Sequence, residues 1–113
     1  MNLTDSPAWQ ALATHAEAIR PQHLRTLFTS DPERFEHFSL KQDGLLLDFS
    51  KQRINDETLD LLHTLAETAN LDGWTRQMRD GAPINHTEGR AVRHMDLRAG
   101  AAAPPEVQAV LTR

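Results

Sequence analysis

Phe38-Ser39-Leu40-Lys41-Gln42-Asp43-Gly44-Leu45-Leu46-Leu47-Asp48-Phe49 is the stretch of this chain in which the pattern leaves helical spacing. Short apolar runs flank Lys41 to Gly44, and the Asp43-Gly44 step supplies the positive-φ residue that a tight hairpin requires. The stretch therefore predicts a small β-hairpin at about residues 38–49. Two strands are marginally stable alone, so the hairpin needs helices to lean on.

Helices are predicted on both sides of it. Upstream, Ser6-Pro7 reads as an N-cap followed by proline at the first helical position. Trp9, Leu12, Ala13, Ala16 and Ile19 then fall on one helical face as far as Pro21. Leu24, Leu27 and Phe28 continue on a second short helix, and Ser30 with Glu33 three residues later offers the next cap. Downstream, Asn55 caps a helix whose stripe is Leu59, Leu62, Leu65, Ala66 and Ala69, widened by Leu61. Asp56 and Glu57 favour the positive end of its dipole. Asn70 or Gly73 marks its end, and a further short helix through Trp74 and Met78 stops near Gly81. Asn85 or Thr87 should cap a helix through Leu97. Ala99 to Pro105 reads as a small-residue linker, and Glu106 to Arg113 as the start of a last helix. The fold class is mostly α with one short β-hairpin.

Length and composition bound what such a chain can do. The 113 residues are one domain's worth of chain or a piece of a larger one. A compact fold of this mass would expose about 6,000 Å². Of the 44 apolar residues 14 are alanine, so the core should be thin. With no cysteine there is no disulfide framework and no thiolate chemistry, which suits the cytoplasm. No apolar run approaches the roughly 18 residues that span a bilayer, so no membrane partner is expected. The net charge of −4 argues against binding a nucleic-acid backbone.

Catalytic signatures are few. There is no Gly-rich phosphate loop and no H-E-x-x-H, and none of the six histidines pairs with another at i, i+4 spacing. No metal is expected. The densest polar segment holds Glu88, Arg90, Arg93, His94, Asp96 and Arg98. An anion could sit near Arg90 and His94 at a helix N-terminus, with Arg98 nearby. The plainer reading is a helix whose charges pair with each other or with a neighbouring domain. Asp48 with Lys51 and Arg53 similarly reads as the charged end of a strand.

Taken whole, Ile84-Asn85-His86-Thr87-Glu88-Gly89-Arg90-Ala91-Val92-Arg93-His94-Met95-Asp96-Leu97-Arg98 resembles I-N-x-T-E-x-R-A-V-L-H-x-A-L-R, a pattern near the start of the glucose-6-phosphate isomerase (phosphoglucose isomerase) family. Arg34-Phe35-Glu36-His37-Phe38-Ser39-Leu40 is similar to that family's R-F-x-x-F-S. Leu46 to Ile54 is similar to its apolar-apolar-D-aromatic-S-K stretch. The three motifs occur in the family's order, and the resemblance covers residues from about 7 to 113.

The resemblance implies an enzyme several hundred residues long that interconverts glucose 6-phosphate and fructose 6-phosphate through a cis-enediol, without metal or other cofactor. It implies two doubly wound α/β domains that hold the sugar phosphate, with every catalytic and substrate-binding group beyond Arg113. Residues 1–113 would then be the N-terminal helical segment, inactive alone, its partners being the remainder of the chain and a second subunit. Asn85, Thr87, Glu88, Arg90, His94 and Arg98, with Asp48, Ser50 and Lys51, carry over as structural motif residues. Arg93 and Asp96 depart from the family's Leu and Ala, so they either pair with each other or lie on an exposed face. The rival reading is a stand-alone helical interaction module derived from this segment.

Overall fold

The structure, a computed structural model, describes residues 2–112. They form a mostly helical fold with one two-stranded antiparallel hairpin, and the chain divides after Ala69 into two compact units.

The first unit opens with a single 3-10 turn, Leu3–Asp5, and α1, Pro7–Ile19. Ser6 caps α1 by accepting the Trp9 N–H, and its own hydroxyl donates to Leu3 O at 2.7 Å. The face of α1 that is covered differs from the expected one. Ala8, His15 and Ile19 are buried and Leu12 half-buried, while Trp9, Ala13 and Ala16 are exposed. The helix is turned because His15 Nε2 meets Thr58 Oγ1 at 2.7 Å, so a polar bond fixes the rotation that apolar spacing left open.

Next come α2, Leu24–Ser30, and the single-turn α3, Arg34–His37. Ser30 does not cap α3. Its hydroxyl turns back to Leu27 O, and Asp31 Oδ1 receives the Glu33 N–H instead. The hairpin then forms in the expected place, with β1, Ser39–Gln42, paired to β2, Leu45–Asp48. Asp43 and Gly44 both have positive φ, 49° and 80°, the geometry of a two-residue turn whose twist matches the strands. At the open end Phe49 N–H donates to Phe38 O, and the two rings meet edge to face at 6.0 Å.

The unit closes with α4, Asp56–Thr68, which packs on α1. Asn55 Oδ1 accepts the Thr58 N–H at 3.0 Å while Thr58 Oγ1 accepts the Asn55 N–H at 3.1 Å, a reciprocal capping box. Of the expected stripe, Leu59, Leu65, Ala66 and Ala69 are half-buried and Leu62 is exposed.

The second unit begins at Asn70, whose left-handed φ of 52° ends the helical run before it. Gly73 lies inside α5, Leu71–Arg79, and not at a helix end. It is buried, and a Cβ there would collide with the Asn70 side chain. The helix expected from Asn85 to Leu97 does not form. Residues 85–95 are turns, one isolated bridge and irregular chain, followed by 3-10 turns at Asp96–Arg98 and Gly100–Ala102. Gly89 at φ +62° is the proximate reason, because a left-handed residue one turn past the cap ends a helix before it can propagate.

The small-residue linker is not free either. Gln108 Nε2 donates to Ala101 O and Ala103 O, and Ala103 is buried. The last helix, α6, runs Pro105–Leu111 with Val107 buried and proline at its start. Arg113, expected at its end, lies outside the described residues.

Candidate functional site

Two of the three motifs meet in the first unit, and the residue that joins them is Arg34. It is 2% exposed and is the largest fully buried side chain among the described residues. Its Nε donates to Ser50 O, and its Nη2 to Gln52 O and Ile54 O, all at 2.8 Å. The guanidinium lies over the Phe38 ring at 4.5 Å and near that of Phe28 at 5.6 Å. A planar guanidinium fork suits such a position, since it serves several carbonyls at once while its weakly hydrated face rests on aromatic carbon. One short helical turn thus holds the loop that leaves the hairpin and enters α4.

Inside that loop Asp48 makes a tight turn. Its Oδ1 accepts the Ser50 N–H at 2.9 Å and the Ser50 hydroxyl at 2.6 Å, and its Oδ2 accepts Lys51 Nζ at 2.6 Å. The Lys51 hydrogen bond, then those from Ser50, pull the Asp48 carboxyl down to about 2. Ser50 is buried and spends its hydroxyl here, and Lys51 is the exposed rim. Arg53, grouped with them by spacing, points elsewhere and donates to Arg20 O. Every donor of the Asp48 group is turned on its own loop, so the arrangement fixes backbone and does not present a nucleophile or a base.

The third motif is confined to the second unit. Asn85 Oδ1 accepts the N–H of Thr87 and of Glu88 and the Thr87 hydroxyl. Gly89 N–H returns to Asn85 O at 2.8 Å, and Asn85 N–H to Arg90 O at 3.1 Å, which closes the turn as an isolated bridge. His86 stands edge-on to Trp74, 5.4 Å between centroids. The anion reading of Arg90, His94 and Arg98 loses its physical basis, because the N–H groups that a helix start would have offered are consumed within the turn. His94 is exposed, and its carbonyl receives a long contact of 3.5 Å from Arg98.

Arg93 and Asp96 settle the question their identities raised. They pair at 2.9 Å, and Arg93 also reaches Glu106 of α6 at 3.1 Å. Asp96 and then Glu106 raise the Arg93 pKa further above its ordinary value. The pair lies at the surface, with Arg93 exposed.

Arg34 and His15 are absent from the motif residues singled out by sequence, although Arg34 opens one of the motifs. The signal for Arg34 was an arginine set between aromatic residues at 28, 35 and 38. Nothing in the spacing marks His15, whose Nδ1 also lies 3.4 Å from Glu57. Among the described residues no three His, Asp or Glu side chains converge as metal ligands would, and no helix is long and apolar enough to cross a membrane.

Comparison with known proteins agrees with the motifs. The sequence profile of the family described as Phosphoglucose isomerase matches residues 48–111. The chain is 68% identical over 113 residues to the glucose-6-phosphate isomerase of Dechloromonas aromatica (strain RCB), an alignment covering 100% of the chain and 22% of that protein. It is 50% identical over 120 residues to the glucose-6-phosphate isomerase of Gloeobacter violaceus, covering 98% of the chain and 22% of the relative. It is 47% identical over 103 residues to glucose-6-phosphate isomerase 2 of Chromobacterium violaceum, covering 91% of the chain and 19% of that relative. The chain belongs to the phosphoglucose isomerase family, an isomerase family, and spans about a fifth of the length of these relatives.

Proposed function

We propose that this chain is the N-terminal part of a glucose-6-phosphate isomerase, the cytoplasmic enzyme of glycolysis and gluconeogenesis that interconverts glucose 6-phosphate and fructose 6-phosphate. The observation that carries the reading is the 68% identity over 113 residues to an isomerase of that name. In this reading the reaction is proton transfer between adjacent carbons of the opened sugar, which needs a positioned base and stabilisation of the enediolate charge together. Those groups belong to the two α/β domains of the complete enzyme, which holds the sugar phosphate and acts as a dimer. No cofactor enters.

The residues in hand supply architecture instead. Arg34 with residues 50–54, and Asn85 with residues 87–90, are locally rigid connections whose polar groups are satisfied internally. Asp48, Ser50, Lys51, Asn85, Thr87, Glu88, Arg90, His94 and Arg98 are structural residues in this reading. The alternative of a free-standing interaction module took a modest motive from Arg93 and Asp96, which pair with each other at the surface and so fit either reading.

The test is a chimera. Isomerase activity on fructose 6-phosphate is measured for the 113-residue chain and for the Dechloromonas aromatica enzyme in which the matching 113 residues are replaced by this chain. The chain alone should give no turnover, and the chimera should turn over within about tenfold of its parent, a loss of no more than about 1.4 kcal/mol in barrier. Turnover by the chain alone would overturn the inactive-segment reading, and a folded but silent chimera would overturn the family role.

A further inference from the structure

We infer that one face of the hairpin, formed by Leu40, Leu45 and Leu47, is a docking surface for the part of the isomerase chain that lies outside these 113 residues. The inference rests on the isomerase reading above. Register places the three leucines together. Leu40 lies opposite Leu47 and Gln42 opposite Leu45, so these side chains share one face, while Lys41 and Leu46 take the other. The three leucines are 63%, 77% and 60% exposed and line a shallow groove of about 330 Å³ with Gln42 and Asp43.

The surface of the chain as a whole is also larger than compact packing leaves. The chain exposes 8918 Å². A single compact globule of its mass would expose roughly 6,200 Å², and two separate compact halves roughly 7,500 Å².

Area selects the occupant. Three leucines so exposed offer an apolar patch on the order of 300 Å². Separate molecules that associate stably bury about 800 Å² per partner, so neither a second copy nor a free partner is held by this face alone. A covalently connected segment faces no such threshold, because tethering raises its effective concentration to the millimolar range or beyond. The curated relatives supply that segment, since the aligned region is 22% of the Dechloromonas aromatica isomerase.

Hydrogen exchange of the residue 39–48 amides, compared between the 113-residue chain and the chimera, tests the inference. Docking predicts exchange at least about 100-fold slower in the chimera. The double substitution Leu45→Lys with Leu47→Lys should leave the thermal midpoint of the isolated chain unchanged and lower that of the chimera by more than about 3 °C. Hairpin amides that exchange equally fast in an active chimera would overturn the inference and leave the isomerase reading intact. Protection that grows with concentration of the isolated chain would assign the face to a second copy and overturn it as well. An unsubstituted chimera that fails to fold or to turn over fructose 6-phosphate would remove the isomerase reading and the inference with it.

Discussion

Arg34 holds residues 50–54 through three hydrogen bonds from a site that is 2% exposed, whereas the Asn85 side chain holds Thr87 and Glu88 through bonds that all lie at the surface. Both satisfy a loop's backbone with a single polar side chain. They differ in what happens when that side chain is lost. Water can replace a surface bond at little cost, but a buried carbonyl deprived of its donor bears its full desolvation penalty. The first connection is therefore a support of its unit's stability. The second chiefly selects a chain path.

The severest challenge to this contrast is Arg34→Met. Loss of one buried and two part-buried bonds from a buried guanidinium should lower stability by about 2–4 kcal/mol. Trp9 fluorescence during urea unfolding, in a Trp74→Phe background, would read the change. Arg34→Lys should recover less than half, since an ammonium lacks the fork that reaches three carbonyls. A loss under about 1 kcal/mol for the methionine variant would mean that water enters and serves these carbonyls.

Next in size are two asparagines, Asn55 at a helix cap and Asn85 in a surface turn. Asn55→Ala removes one side of the α4 capping box and should cost about 1 kcal/mol. Asn85→Ala removes surface bonds only and should cost less than half as much. Equal effects in urea unfolding, each read from the tryptophan of its own unit, Trp9 for Asn55 and Trp74 for Asn85, would erase the distinction between a helix cap and a surface turn.

Acid and alkali probe the exposed ion pairs of the first unit. The Asp48 carboxyl titrates at about 2 in the fold against 3.8 as an unperturbed group. Between those values the unfolded chain binds more protons, so this contribution is complete above about pH 4 and is lost as pH falls toward 2. Asp48→Asn should flatten that acid limb. The His37 pKa is raised by its hydrogen bond to Asp31 at 2.9 Å, so its contribution is complete below its ordinary 6.5 and is lost as pH rises through the folded value. Imidazole resonances followed by NMR would locate it, and a His37 titration below 6.5 would contradict the geometry. Added salt should shrink both effects.

The smallest effect is expected at Arg93. Replacing it by leucine removes two exposed ion pairs, and the thermal midpoint should not move resolvably. A fall of several degrees would show that the Arg93 pairs with Asp96 and Glu106 hold α6 in place.

Much of the fold was legible in the chain because its signals are local. Ser6-Pro7, Asp43-Gly44 and Asn55 each state a backbone geometry within a few residues, and each forms where it was expected. The segment from Asn85 to Leu97 misled for a related reason. Asn-x-Thr-Glu reads as a cap, but an asparagine that accepts the N–H groups two and three residues on serves a turn equally well, and Gly89 decided between them. The side of α1 that is covered was likewise not legible, because it depends on Thr58, which lies 43 residues away from His15.

The order of residues was enough to specify most of the succession of helices and hairpin, the family, and the motif residues, since caps, turns and motif spacing act over short distances along the chain. Three features emerged only when the chain was folded: Arg34 is a buried clamp, His15 sets the rotation of α1, and Arg93 and Asp96 pair at the surface. Burial is a property of what folds over a residue, and it arises from contacts that no local pattern encodes.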